Sequence, residues 1–280
     1  MRVHLCGVRG STPAPGIEFI RYGGHTSCVA IAHDGAAAPS LVLDAGIGLQ
    51  QVTKLLGDEP FRGTILLSHL HWDHSTGLPF FPRGDEKAAA VHLFLPEQAD
   101  GRGAVEVLSG IMRPPYFPVG PTALRGDWHF DTIATGEHEL EGFTILAREV
   151  PHKGGRTFGY RISDGHSTLT YIPDHCPTVL GPGEDGFGEY HEAALELASG
   201  ADLMLHDAQL LPDEGPTMAV YGHAVADYGV ELARRAGTAK VALFHHRSDR
   251  TDDALDELGR RFADSSPAVV VGAEGSVFEL

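Results

Sequence analysis

Within the six residues His69-Leu70-His71-Trp72-Asp73-His74 the chain sets three imidazoles and one carboxylate. Neutral imidazole nitrogen and carboxylate oxygen are donors that zinc accepts. The cluster directly follows the apolar run Thr64-Ile65-Leu66-Leu67. A short apolar run ending in ligand-type residues reads as a buried strand that delivers them at its C-terminal end. In extended geometry His69, His71 and Asp73 share one face and His74 points elsewhere. One short loop can therefore feed two neighbouring metal ions, His69 and His71 serving one, Asp73 and His74 the other. The competing reading is a polar loop that happens to contain histidines, and four ligand-type residues in six positions after a strand argue against it.

The elements that must position such a cluster can be read along the chain. Residues 3–8 alternate as a first strand, followed by breaker-rich loops at 9–16 and 22–27 and a strand at 28–32. Residues 40–43 form a strand that ends in Asp44, where a lone carboxylate is often a helix N-cap. A helix at 49–56, the strand 64–67, a short helix at 77–81, a strand at 89–95 and a helix at 97–112, broken near 101–103, complete the first half. Residues 113–118 form a stiff aromatic loop, read equally as a wall of the cleft or as a surface crossover. The second half repeats the design. Strands at 143–150, 158–162, 168–172, 202–205 and 239–244 run into His152, Asp174, His206-Asp207 and His245-His246. Tyr221-Gly222-His223-Ala224 opens a helix that ends near 236, and 251–263 is the last long helix. The Gly/Pro-rich acidic piece 181–188 reads as a surface insertion. No linker is visible, so the chain reads as one domain over 1–280 with two pseudo-symmetric halves.

His69-Leu70-His71-Trp72-Asp73-His74 resembles the His-x-His-x-Asp-His signature of the metallo-β-lactamase superfamily, and the resemblance runs over essentially the whole chain. It implies an α/β fold, a four-layer αββα sandwich with a dinuclear metal site at one edge. His71 stands where the flavo-diiron branch carries Glu, which favours zinc over iron. Gly7-Val8-Arg9-Gly10-Ser11-Thr12-Pro13 followed by Tyr22-Gly23-Gly24-His25-Thr26-Ser27 resembles a phosphodiesterase-like branch, in which Asn is usual where this chain has His25. From these loops Arg9, Ser11 and Thr26 are expected to bind substrate. Gly159-Tyr160-Arg161 and His206-Asp207-Ala208-Gln209 resemble the tRNase Z branch, with Asp and Gln replacing Glu and Thr of its His-Glu-Ala-Thr motif. The resemblance assigns His69, His71 and His152 to one metal and Asp73, His74 and His245 to the other, with Asp174 bridging. Asp44 is expected behind the histidines, fixing an imidazole. His245 is chosen over His246 because it directly follows its strand.

Two zinc ions, or Mn2+ or Fe2+ in their place, would bring a bridging water from a pKa of about 16 towards neutrality and so generate a hydroxide nucleophile. Asp73 then belongs with the catalytic groups, and His223 held by Asp207 would protonate the leaving alkoxide. The expected substrate is a small, nucleotide-like or cyclic anionic phosphodiester. A tRNase Z-type RNA 3′-processing endonuclease is the alternative, as is hydrolysis of a carbon ester, thioester or lactone; a non-catalytic binding protein is the fourth class. The chain has 38 acidic against 21 basic residues, a formal charge of −17, which repels long nucleic acid. The three cysteines, Cys6, Cys28 and Cys176, are odd in number and widely spaced, unlike a disulfide framework. The first residues lack a signal-peptide core and no apolar stretch is long enough to span a bilayer, so a soluble cytoplasmic protein without membrane partners is expected. The sequence leaves open the oligomeric state, a homodimer included, and the roles of His25, His175, Cys176 and His246.

Overall fold

The strands that need least explanation are those with no polar face. In the computed structural model, which describes residues 1–280 apart from the side chains of Pro216 and Ala219, β1 (Arg2–Gly7) is followed by β2 (Cys28–Ala32) and β3 (Leu41–Leu43), the latter two buried at every position. An unbroken apolar strand is one covered on both faces. The chain continues through α1 (Leu49–Leu56), β4 (Arg62–Leu66), the single turn α2 (Trp72–Ser75), β5 (Ala90–Pro96), α3 (Ala104–Leu108) and β6 (Asp127–Ile133). The second half comprises β7 (Gly136–Leu140), β8 (Phe143–Glu149), β9 (Phe158–Ser163), β10 (Thr168–Ile172), α4 (Glu192–Ala198), β11 (Leu203–Asp207), α5 (Gly215–Met218), α6 (Ala226–Ala236), β12 (Lys240–Phe244), α7 (Asp252–Arg261) and β13 (Ala268–Val271). The last strand, β14 (Val277–Glu279), returns to the first sheet.

Two seven-stranded sheets result, ordered β14-β1-β2-β3-β4-β5-β6 and β13-β12-β11-β10-β9-β8-β7. Read from β14 and from β7 respectively, both sheets run through three antiparallel pairings and then three parallel ones. β3 and β10 are therefore equivalent strands, as are β4 and β11. Between the sheets Leu5, Ile31 and Leu43 meet Tyr160, Leu169, Leu205 and Phe244. The outer face of the first sheet packs Val42, Ile65 and Val91 against Leu49 and Val52 of α1 and Leu108 of α3. The outer face of the second packs Met204 and Leu243 against Leu197 of α4, Leu232 of α6 and Leu255 of α7. Each such buried side chain contributes about 1.5–3 kcal/mol. The order helix, sheet, sheet, helix is the four-layer αββα sandwich.

Several expectations change at the level of elements. The helix expected over 97–112 is limited to α3 (Ala104–Leu108), because Gly101 adopts a left-handed φ of 76° ahead of it. The helix expected to open at Tyr221 begins at Ala226, leaving Gly222–Val225 as an irregular approach in which Val225 bridges Leu210. β6, β7, β13 and β14 have no counterpart in the sequence reading. α1 spans the expected residues, and α7 starts where Thr251 accepts a bond from the Ala254 N–H at 3.3 Å. Residues 181–188 are irregular, as an insertion would be.

Candidate active site

The parallel halves of the two sheets end at one edge of the sandwich, where side chains far apart in sequence are gathered. β4 ends before His69 and His71, β3 before Asp44, β8 before His152, β10 before Asp174 and β12 before His245; β11 itself ends in Asp207. The expected extended run through Asp73 does not occur. His71 is extended and caps α2, so Asp73 and His74 lie on a helical turn. That turn brings Asp73 and His74 to the same side, away from His71.

Asp174 is the centre of the cluster. Its Oδ2 lies 3.5 Å from His69 Nε2 and 3.2 Å from His152 Nε2, while its Oδ1 lies 3.2 Å from His74 Nε2 and 3.0 Å from His245 Nε2. His71 joins the first side through Nδ1, 3.2 Å from His152 Nε2. Asp73 Oδ2 joins the second, 3.2 Å from His74 Nε2 and 3.1 Å from His245 Nε2. Three overlapping groups capable of holding a cation lie side by side among the described residues: His69, His71, His152 and Asp174; Asp73, His74 and His245; and Asp174, His223 and His245. The donor set fits zinc, and two of its buried atoms, His69 Nε2 and Asp174 Oδ1, have no hydrogen-bond partner in the protein.

The atoms behind these donors fix which nitrogen faces the centre. Asp44, fully buried at a left-handed φ of 58°, accepts from His74 Nδ1 at 2.7 Å, from the Ser68 N–H and hydroxyl at 2.6 and 2.8 Å, and from the Tyr171 hydroxyl at 2.7 Å. His74 thereby keeps its proton on Nδ1 and presents Nε2. His152 Nδ1 donates to the Gly222 carbonyl at 2.6 Å with the same effect. The Gln209 side-chain amide lies against His245 Nδ1 at 3.2 Å. Gly10 allows this close approach, since a Cβ there would collide with the His245 ring and the Gln209 amide.

Burial and charge act on these groups in opposite directions. Burial holds His69 well below the usual imidazole pKa and lowers His71 and His152 as well. For His74 burial opposes the charge, but the carboxylates of Asp73, Asp174 and Asp44 outweigh it and hold the ring well above the usual value. His245 is likewise raised, to about 10, because Asp174 and Asp73 overcome its burial. Asp174 and Asp73 are held below the usual carboxylate range: burial works against this, and the surrounding imidazoles prevail.

Beside the cluster, Asp207 Oδ2 accepts from His223 Nδ1 at 3.1 Å and from the His175 and Ala224 N–H groups at 3.0 and 3.2 Å; its Oδ1 accepts from the Gln209 N–H at 3.0 Å. His223 lies 4.0 Å from Asp174 Oδ2 through that same nitrogen, and its Nδ1 is already engaged by Asp207. With Ser11, His71, Asp73, His152 and Gln209 it lines a cleft of about 640 Å3.

Two expected substrate contacts are corrected. Arg9 is fully buried and spends its guanidinium on the carbonyls of Gly23, Arg247 and Arg250 at 2.7, 3.3 and 2.6 Å. Thr26 is fully buried and its hydroxyl accepts from the Ile47 N–H at 2.8 Å. Both tie loops together beneath the site, out of a ligand's reach. Ser11 is exposed in the cleft, and its N–H holds Asp73 Oδ2 at 2.7 Å. His246 bonds the Gly272 carbonyl, His25 pairs with Glu274, and His175 bonds His206 and His191, all outside the cluster. Cys176 is buried beside Thr178. Sequence reasoning missed Gln209 as a support of His245, Tyr171 as a support of Asp44, and Arg247 and Tyr221 at the cleft rim. Only Gln209, in the tetrad that spans the end of β11, carried a signal.

The model of the Beta-lactamase superfamily domain matches residues 40–246. The ribonuclease Z of Haloarcula marismortui is 26% identical over a 315-residue alignment that covers 98% of this chain and 94% of that protein. Among solved structures, the metallo-β-lactamase fold protein YhfI from Bacillus subtilis superposes with a TM-score of 0.72 at 19% identity, covering 99% of both chains. A diphosphatase of the PhnP family superposes with a TM-score of 0.68 at 17% identity, covering 100% of this chain and 97% of the other.

Proposed function

The chain belongs to the β-lactamase superfamily as a metal-dependent hydrolase, and from that premise we propose that it cleaves small anionic phosphodiesters at a centre of two zinc ions. Mn2+ or Fe2+ would satisfy the same donors. His69, His71 and His152 would hold one ion and Asp73, His74 and His245 the other, with Asp174 between them. When bound, the ions supply an activated water and neutralise charge that develops on the phosphoryl oxygens. The chain's own residues do the rest. Asp44, Gly222 and Gln209 fix the rings, and the Ser11 N–H holds Asp73. His223, carried by Asp207, delivers a proton to the departing oxygen.

The observation that carries this reading is the Asp207–His223 pair at 3.1 Å on the wall of the metal cleft. An alkoxide leaving a phosphodiester needs a proton, and a positioned imidazole is suited to give one. Cleavage of an RNA precursor is a second reading, favoured by the relative named ribonuclease Z. The net charge of −17 and the engagement of the cleft's Arg247 by Glu214 and Asp249 favour small substrates instead.

The test is His223→Ala. The variant is expected to keep both metals and to lose about a hundredfold or more of its turnover on an alkyl or nucleoside diester. On bis(p-nitrophenyl) phosphate, whose leaving group departs without a proton, the loss should be much smaller. Asp207→Asn should reproduce the selectivity more weakly. Equal losses on both substrates would withdraw the proton-donor assignment.

A further inference from the structure

Trp72 stands between His71 and Asp73 in the chain and borders two cavities. One is the metal cleft. The other, of about 620 Å3, falls within the range of small-molecule sites. Its walls are aromatic. Trp72, Tyr116 and Phe80 are 71%, 74% and 51% exposed, although rings of this size normally lie inside. Large rings gathered on one open surface mark a place that receives a ligand. Phe80 and Phe117 meet edge to face at 5.8 Å, which steadies one wall.

The polar groups of this cavity narrow the choice of ligand. The Thr76 hydroxyl donates to the Trp72 carbonyl at 2.7 Å and the Ser75 hydroxyl to the His71 carbonyl at 3.0 Å. Their protons are spent, so what they offer a ligand is lone pairs. Arg113 is the one charged residue of the lining among the described residues, and it brings donors. Flat π surfaces, acceptor oxygens and one guanidinium suit a heteroaromatic ring with exocyclic N–H groups and ring acceptors. An acyl chain would make no use of these polar groups, whereas a heteroaromatic ring can bond to them.

We propose that this cavity is a base pocket: the substrate is a nucleoside phosphodiester whose phosphate enters the metal cleft and whose base lies across Trp72 among Phe80, Tyr116 and Phe117. The proposal rests on the phosphodiesterase reading and adds to it the identity of the arm that does not leave. It also gives the loop that carries Tyr116 a role in selecting substrate.

Three esters with a common leaving group separate the contributions: the p-nitrophenyl esters of adenosine 5′-phosphate, methyl phosphate and n-octyl phosphate. With zinc-loaded protein the adenosine ester should exceed the methyl ester about tenfold or more in kcat/KM, the size expected for one stacked base. Tyr116→Ala and Phe80→Ala should each bring that ratio towards one through KM. Adenosine, which has no phosphate for the metals, is titrated separately. The chain has two tryptophans, so Trp128→Phe leaves Trp72 as reporter, and saturable quenching should vanish when Tyr116→Ala is added. Hydrolysis of all three esters without an adenosine preference that the variants remove would overturn the base pocket and leave the phosphodiesterase reading intact. An equal preference for the octyl ester would also overturn it, in favour of an apolar slot. Saturable adenosine binding lost in Tyr116→Ala, with none of the esters hydrolysed, would uphold the pocket and defeat the phosphodiesterase reading.

Discussion

Asp174 touches four imidazole nitrogens with its two oxygens, each oxygen serving one side of the cluster. Under the proposed two-zinc reading, elemental analysis of undepleted protein should return close to two ions per chain. His245→Ala should remove the second ion and nearly all activity. His246→Ala removes a ring that bonds the Gly272 carbonyl and packs edge-on to Tyr22; it should retain metal and lose less. Protonation adds a further expectation. The proton on His245 is held with a pKa of about 10 against an ordinary 6.5, and that on His74 is also held more tightly than usual. In the metal-free protein this coupling stabilises the fold fully below about pH 6.5, and the gain is lost as pH rises through about 10. A metal must displace the same protons, so affinity at the Asp73, His74 and His245 side should rise by up to about tenfold per pH unit for each proton released. Competition with a zinc chelator near pH 6, 7 and 8 measures this, and acidification should empty that side first. The clustering of these imidazoles and carboxylates was legible in the sequence because ligand-type residues recur at the end of one predicted strand after another. Arg9 and Thr26 misled because the same residue types serve buried loops. Tyr171 was missed because nothing local links a strand tyrosine to a carboxylate 127 positions away.

Elements whose patterns are apolar and whose ends carry ligand-type residues were readable from the sequence; solvent-facing edge strands were not. β6 and β7, of sequence Asp-Trp-His-Phe-Asp-Thr-Ile and Gly-Glu-His-Glu-Leu, are mostly half-buried or exposed. Their apolar residues are too few for a strand reading without the neighbours β5 and β8. The approach to α6 also escaped, because Gly222 is not the first residue of a helix. It has a left-handed φ of 98°, and a Cβ there would lie 3.1 Å from the His152 ring. Its carbonyl is also the acceptor for His152 Nδ1. Gly222→Ala should therefore displace both His152 and the neighbouring His223. A loss of metal affinity of about ten- to a hundredfold is expected, as for other supports of a metal histidine, together with slower turnover at saturating metal. Zinc titration and kcat measured on the same preparation would show both; a change in kcat alone would mean that only His223 had moved.

At the scale of the molecule, the identical order of strand directions in the two sheets places β3 and β10 in equivalent positions, and each is followed by an aspartate of the site, Asp44 and Asp174. The first sheet contributes His69, His71, Asp73 and His74, and the second contributes His152, Asp174 and His245. Neither half alone holds the whole cluster. The seam that the hydrophobic layer glues from within is thus also fastened at its rim, in the manner of a rivet through two plates. Ligands that bind only the folded form add RT ln(1 + [L]/Kd), about 2.7 kcal/mol at a hundred times Kd. For a chain of this size that is a fall in Tm of about 5–10 °C on chelation, and hydrogen exchange should quicken first along the rim strands rather than in the outer helices. Metal supply would then act on this protein twice, as a reagent for its chemistry and as a fastener that sets how long each copy keeps its halves together.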